Sequence, residues 1–273
     1  MEPNLKPVQS GPHPDSTDKE KPDDPAQPRR RGAFLLPNLF TTAALFFGFY
    51  SIIASMNGHF SVAAIAIYIA MVFDGLDGRV ARWTGTATAF GAQYDSLSDV
   101  VSFGLAPALM IYALCLRALD VYGPVWAKVG WLVVFFYAAT TALRLARFNA
   151  RAGTVGKRYF QGLPCPAAAA MIAGLVWFSV SQGYSAKIYV IPALAVTVMG
   201  GILMVSNLGY YSFKELRLDR RLAFPTILLI PLIFILVTLS PPGVLFGVFF
   251  VYAASAPLWW FVRLYRRYLR RRK

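Results

Sequence analysis

Long apolar runs separated by short polar connections make up most of the chain after residue 32. Each run approaches or exceeds the roughly 20 residues that a helix needs to cross the hydrocarbon core of a bilayer. The pattern therefore predicts an all-α protein, a polytopic membrane helix bundle with about eight transmembrane helices. The predicted helices cover residues 34–57, 60–82, 95–116, 124–147, 164–182, 187–206, 223–240 and 243–265.

The two ends of the chain differ from this apolar middle. Residues 1–32 are rich in proline and mixed charges and hold almost no large apolar side chain, which predicts a disordered cytoplasmic tail. Residues 33–265 form the predicted transmembrane domain, and residues 266–273 are predicted to be a basic cytoplasmic C-terminal tail.

Lysine and arginine alternate along the connections between the predicted helices. The second-to-third, fourth-to-fifth and sixth-to-seventh connections are basic, whereas the first-to-second and seventh-to-eighth are nearly bare. Arg117 and Lys128 make the third-to-fourth connection an exception. Because basic residues are retained on the cytoplasmic side of a membrane, both termini and the three basic connections are predicted to be cytoplasmic. We expect the protein in the inner membrane of the cell.

Composition agrees with a membrane protein. Hydrophobic residues make up 57% of the chain, compared with ~45–50% in soluble domains. The net charge of +14 also occurs in nucleic-acid-binding proteins, but no separate basic soluble domain is present to bind nucleic acid. The basic residues stand instead at helix ends, where they meet anionic membrane lipids. Cys115 and Cys165 lie in or beside apolar runs and indicate no disulfide framework.

Four aspartates stand where the second apolar run ends and the third begins. Asp74 and Asp77 share one face of a helix, and so do Asp95 and Asp99 if the third helix is already regular there. The polar turn between the two pairs would bring them together at the cytoplasmic surface. Like charges this close require cations, and oxygen ligands without His or Cys indicate Mg²⁺, Mn²⁺ or Ca²⁺. Four carboxylates are enough for two ions that share a ligand.

Three further roles for these aspartates are open. They could form ordinary salt bridges with Arg79 and Arg82, although two facing pairs at helix ends favour a functional site. They could bind the diphosphate of a membrane prenyltransferase substrate, but that class would be expected to have two separate aspartate-rich segments. They could line the ion path of a cation transporter, but such sites tend to lie near the bilayer midplane rather than at a helix end.

The spacing of these residues resembles the signature of the CDP-alcohol phosphatidyltransferases at every fixed position. The matching pattern is Asp74-x2-Asp77-Gly78-x2-Ala81-Arg82-x8-Gly91-x3-Asp95-x3-Asp99. The resemblance implies a homodimeric membrane enzyme that transfers a phosphatidyl or similar group from a CDP-linked donor to an alcohol. It implies Mn²⁺ or Mg²⁺, with Asp99 as the base for the acceptor hydroxyl. The implied metal ligands are Asp74, Asp77, Asp95 and Asp99, and the implied CDP-binding residues are Asp74, Gly78, Ala81, Arg82 and Gly91.

Segments that extend beyond the signature bear on the acceptor alcohol. Residues 95–109, 143–149, 160–169 and 203–214 resemble the membrane-embedded phosphatidylserine synthases of bacteria and archaea, a branch of the same family. This resemblance implies CDP-diacylglycerol and L-serine as substrates.

Two arginines near the end of the fourth predicted helix agree with a serine acceptor. Arg144 and Arg147 are neighbours on that helix, and Asn149 follows them. An arginine can bind a carboxylate through two hydrogen bonds, so we expect these three residues in the acceptor site. The same arginines would suit glycerol 3-phosphate, or they could act only as positive-inside anchors. The residues alone therefore leave the acceptor open.

Overall fold

The computed structural model describes residues 35–86, 88–150, 159–183, 186–211, 238 and 240–271. The predicted N-terminal tail at 1–32 and nearly all of the predicted helix at 223–240 lie outside these residues. So do most of the basic residues of the fourth-to-fifth and sixth-to-seventh connections. The part of the chain that is described is mostly helical.

Most of the predicted helices correspond to helices of the structure. Six described helices are long and apolar enough to cross a membrane, and a seventh apolar helix, at Cys165–Ser181, is shorter. The prediction of a helical membrane bundle is confirmed to this extent. The α-helices are α1 (Leu35–Met56), α2 (Phe60–Thr84), α3 (Ala89–Asp99), α4 (Ala106–Leu114), α5 (Pro124–Ala150), α6 (Cys165–Ser181), α7 (Val190–Val205) and α8 (Pro241–Arg271). A π-helix at Val100–Leu105 joins α3 to α4, and 3₁₀ helices occupy Leu116–Tyr122 and Ala186–Tyr189.

Two helix boundaries differ from the prediction by more than three residues. The third predicted helix begins at Ala89 rather than at residue 95, because the Thr88 side chain accepts a hydrogen bond from the Gly91 N–H at 3.0 Å and caps the helix start. Gly91 therefore lies inside α3. At the other end of the chain, α8 continues to Arg271, so the predicted basic tail at 266–273 begins as a continuation of the last helix.

The bundle also holds a short sheet that the all-α prediction does not include. Strands β1 (Tyr159–Gln161) and β2 (Gly209–Tyr211) pair antiparallel. Gly162 follows β1 with φ +79°, and an added Cβ there would collide with the carbonyl oxygen of Met204. Only glycine fits this turn without strain. A three-residue strand in a connection gives too short an alternation to be recognised in the sequence.

Helix α1 packs closely against the helix that carries Asp95 and Asp99. The Ser98 hydroxyl donates to the Thr41 carbonyl oxygen at 3.2 Å, and the Ser102 hydroxyl donates to the Ala44 carbonyl oxygen at 3.1 Å. A Cβ at Gly48 would overlap Ser102. Small residues thus allow close backbone approach, as is common between membrane helices, and they fix α1 beside the aspartates.

The π-helix begins directly after Asp99. Pro107 has no backbone N–H, so the Phe103 carbonyl oxygen, four residues earlier, lacks its usual helical donor. The Tyr137 hydroxyl of α5 donates to the Phe103 carbonyl oxygen at 3.0 Å and supplies a hydrogen bond there. Single π turns inside helices occur frequently at functional sites, and this one ties the backbone that follows Asp99 to α5.

Candidate active site

Four carboxyl groups from α2 and α3 meet roughly two to three helical turns away from the connection that joins these helices. Asp74, Asp95 and Asp99 each offer one oxygen, and the three oxygens all lie within 4.8 Å of one another. Asp77 is not part of this triad, but its carboxyl group adjoins that of Asp95, while Asp74 adjoins Asp99. The structure therefore brings the two aspartate pairs of the sequence together, one from each helix.

The chemistry of this cluster fits a divalent cation. The Asp95 Oδ1 atom is buried and has no hydrogen-bond partner among the described residues. Buried polar atoms are paired in the great majority of cases, so a carboxylate oxygen that is unpaired and faces other carboxylates fits a site for a cation. Carboxylate oxygens are the ligands that hard cations such as Mg²⁺ and Mn²⁺ prefer.

Neighbouring arginines do not neutralise the cluster through salt bridges. In the described part of the chain, neither Arg79 nor Arg82 forms a salt bridge with these aspartates, and both side chains are exposed. The charge of Arg82 is near enough to act on Asp77 through space. Ordinary helix-end ion pairs therefore do not account for the four carboxylates.

A cavity of about 190 Å³ opens on the Asp77 and Asp95 side of the cluster. Its wall contains four of the five residues that the resemblance assigns to CDP, whereas Asp74, the fifth, belongs to the triad instead. The four are Gly78, Ala81, Arg82 and Gly91; the wall is completed by Pro37, Asn38, Thr41, Thr86, Thr88 and Ala92.

The small residues in this wall keep the cavity open. A Cβ at Gly91 would lie 3.1 Å from the Thr88 hydroxyl and 3.5 Å from the Asn38 side-chain oxygen, so a side chain there would fill the space between α1 and α3. A Cβ at Gly78 would meet only Arg82, at 3.5 Å. Absence of bulk at these positions allows a ligand to approach the helix backbone.

Sequence reasoning missed the contribution of α1 to the site. The Thr41 hydroxyl donates to Asp77 Oδ2 at 2.8 Å, and Pro37 and Asn38 line the cavity. The signal in the sequence was a group of three polar residues, Asn38, Thr41 and Thr42, near the start of a mostly apolar helix. Polar residues within membrane helices mark functional positions more often than apolar ones.

Arg147 and Asn149, which are predicted to bind the acceptor, both donate hydrogen bonds to other parts of the protein. Arg147 donates to the Val205 carbonyl oxygen at 3.0 Å, to Gln161 Oε1 at 2.7 Å, and to Asn207. It thereby links α5 to β1 and to the end of α7. The Asn149 amide donates to the Ser96 hydroxyl at 2.9 Å and links α5 to α3.

Arg144, the third predicted acceptor residue, contacts α6. Its Nη1 donates to Cys165 Sγ at 3.1 Å, and its Nε is buried without a partner among the described residues. Cys165 lies within electrostatic range of Asp74 and Asp99. The partly buried guanidinium is therefore near the Asp74 and Asp99 side of the cluster, whereas the cavity opens on the Asp77 and Asp95 side. The side chains of Arg144 and Arg147 therefore have different partners in the structure.

Comparison with known proteins agrees with this site. The family described as CDP-alcohol phosphatidyltransferase matches residues 34–208. A Helicobacter pylori protein named CDP-diacylglycerol–serine O-phosphatidyltransferase is 33% identical over 235 residues, which cover 85% of this chain and 94% of the relative. The archaetidylserine synthase of Methanothermobacter thermautotrophicus is 38% identical over 177 residues, covering 64% and 69% of the two chains.

A third relative, from Mycobacterium leprae, has the same name as the Helicobacter protein. It is 37% identical over 166 residues, which cover 58% of this chain and 53% of the relative. The family match spans more than half of the chain and includes all four aspartates, the cavity and Arg144. The chain belongs to the CDP-alcohol phosphatidyltransferase family.

Proposed function

We propose that this chain transfers the phosphatidyl group of CDP-diacylglycerol to the hydroxyl of L-serine, giving phosphatidylserine and CMP in phospholipid biosynthesis. The observation that carries the proposal is the cluster of four carboxyl groups, with a cavity on one side and, on the other, the Arg144 guanidinium, whose buried Nε has no partner among the described residues. The name and the near-complete coverage of the Helicobacter relative support serine as the acceptor.

The donor is proposed to lie with its nucleotide in the cavity and its acyl chains in the bilayer. Gly78, Ala81 and Gly91 give the nucleotide access to the helix backbones, and the Arg82 guanidinium lies beside the diphosphate. We propose that Asp74, Asp77, Asp95 and Asp99 hold two divalent ions, Mn²⁺ or Mg²⁺. Bound divalent ions supply positive charge that stabilises the reacting and leaving phosphate oxygens.

Arg144 is proposed to hold the carboxylate of serine. Its buried Nε–H and an Nη2–H lie parallel on the same edge of the guanidinium, which suits a bidentate bond to a carboxylate. The hydrogen bond from Nη1 to the Cys165 thiol does not use this edge, so it can persist when a carboxylate binds.

In the reaction, the serine hydroxyl oxygen forms a bond to the phosphorus that carries diacylglycerol. The bond from that phosphorus to the CMP oxygen breaks, and the hydroxyl proton passes to the Asp99 carboxylate. Holding both substrates in the correct orientation supplies a large part of the rate.

Because serine and CMP are water-soluble, we place the site at the cytoplasmic face of the inner membrane. The family resemblance leads us to propose a homodimer, measurable as the mass of the solubilised particle.

The acceptor is tested with purified protein, CDP-diacylglycerol and Mn²⁺, to which serine, glycerol 3-phosphate or inositol is added in turn. We expect CMP release with serine to exceed that with the other alcohols by about 100-fold or more, since pairing of buried polar groups discriminates strongly. Faster release with glycerol 3-phosphate would instead identify phosphatidylglycerophosphate synthesis, the alternative that the residues leave open.

The same assay tests the role of Arg144. Loss of a charged hydrogen bond is worth ~1.5–3 kcal/mol, so Arg144→Gln is expected to raise the KM for serine by about 10–100-fold. The matched control is Arg79→Gln, which removes an exposed arginine of α2 and should leave this KM unchanged. An unchanged KM in Arg144→Gln would remove the residue from the acceptor site.

The cytoplasmic placement is tested by thiol labelling in intact cells. Cys115 and Cys165 are both buried, so the background reaction is expected to be low. A cysteine at Trp83, which is 83% exposed at the cluster end of α2, should react only with reagents that enter the cell. A cysteine at exposed His59, before the opposite end of α2, should react with an impermeant reagent from outside. Labelling of Trp83→Cys from outside would reverse the topology.

A further inference from the structure

The Thr41 side chain bonds differently from other threonines in the described helices. Thr42, Thr84, Thr141 and Thr197 donate to the carbonyl oxygen four residues back, at 2.7, 2.8, 3.0 and 2.7 Å. Thr41 lies 3.2 Å from the equivalent oxygen of Pro37 but only 2.8 Å from Asp77 Oδ2. A hydroxyl has one proton to donate, and a carboxylate is the stronger acceptor. The Thr41 proton is therefore directed to Asp77.

The surroundings hold this hydrogen bond in place. Thr41 is 4% exposed and Asp77 is 5% exposed, so water does not compete freely for either group. The carbonyl oxygen of Thr41 accepts a bond from Ser98, which lies in the turn between Asp95 and Asp99. The residue thus contacts both helices that carry the aspartates.

We infer that Thr41 is a positioning residue for the metal centre: its hydroxyl fixes Asp77 Oδ2 and leaves Oδ1 available to a cation shared with Asp95. The inference rests on the proposed function, because it assumes that the carboxyl cluster binds a divalent ion. It assigns a role in ion binding to α1, which lies outside the aspartate motif.

Removal of the hydroxyl is expected to weaken ion binding rather than folding. Valine has nearly the shape of threonine, so Thr41→Val keeps the packing of α1 and deletes the donor. Loss of a hydrogen bond to a metal ligand typically lowers metal affinity by about 10–100-fold. We expect a rise of that size in the Kd for Mn²⁺ of the substrate-free protein.

The test measures Mn²⁺ binding to the full chain in detergent by the electron paramagnetic resonance signal of the free ion. Two pairs of proteins differ only in whether the side chain ends in a hydroxyl: the parent against Thr41→Val, and Thr41→Ser against Thr41→Ala. The second pair keeps the comparison valid if Thr41→Val does not fold. The control is Thr42→Val, whose hydroxyl bonds to Asn38 and Tyr94 rather than to a carboxylate.

Tighter Mn²⁺ binding by the hydroxyl-bearing member, with Thr42→Val close to the parent, supports the inference. Equal binding within the folded pairs overturns it. An equal loss in Thr42→Val also overturns it, since the effect would then belong to the start of α1 in general. If the parent itself binds no Mn²⁺, the metal centre of the proposed function fails, and that outcome is distinct from failure of the role of Thr41 alone.

Discussion

Replacement of Asp74, Asp77 or Asp95 by asparagine is expected to reduce CMP release by about 10³-fold or more, because a metal contributes several kcal/mol of charge stabilisation in the transition state. Asparagine keeps the size of the side chain and one oxygen, but it removes the negative charge that holds a cation. The measurement is CMP release at saturating serine, with Mn²⁺ and with Mg²⁺.

The thermal stability of the metal-free variants distinguishes the loss of metal binding from misfolding. Like charges repel one another in the substrate-free cluster, so the loss of one carboxylate should leave the metal-free thermal midpoint unchanged or higher. The matched control is Asp120→Asn, the same chemical change at an exposed aspartate in the 3₁₀ helix at Leu116–Tyr122. Substantial residual activity in all three cluster variants, with Asp120→Asn at the parent level, would remove the metal assignment.

The aspartate motif was predictable from the sequence because helical periodicity alone decides which residues share a face. Asp74 and Asp77 lie on one helix and Asp95 and Asp99 on the next, and a short turn leaves the two pairs few places other than opposite each other. The same periodicity left Gly91 in the turn rather than in α3, since the helix start depends on a single cap by Thr88.

Contacts between distant segments were not predictable in this way. Arg144 and Arg147 are three residues apart, yet they have different partners. Arg144 donates to the Cys165 thiol and Arg147 donates to the Gln161 side chain. The separation depends on how α6 and the sheet pack against α5, which no local pattern records. The hydrogen bond from Thr41 to Asp77 joins residues 36 positions apart and was not predicted for the same reason.

The division of work between Asp99 and Asp77 gives the second large effect. By distance alone, Asp99 would be the metal ligand, since it belongs to the triad and Asp77 does not. The surroundings of the two residues favour a different division, with Asp77 at the donor and Asp99 at the acceptor. Asp77 lines the cavity proposed for the donor, whereas Asp99 is not among the residues of its wall and adjoins Asp74, on the side near Arg144 and the proposed acceptor.

If Asp99 acts mainly as the base, Asp99→Asn should retain Mn²⁺ and CDP-diacylglycerol and lose turnover with serine by ~10²–10⁴-fold, the usual contribution of a general base. Asp77→Asn should instead weaken donor binding itself, because the diphosphate loses the cation that holds it. The comparison requires the donor Kd and kcat of both variants at saturating Mn²⁺, with Asp120→Asn as the reference. An equal loss of donor affinity in Asp99→Asn and Asp77→Asn would make Asp99 one more metal ligand, and the proton would then need another acceptor.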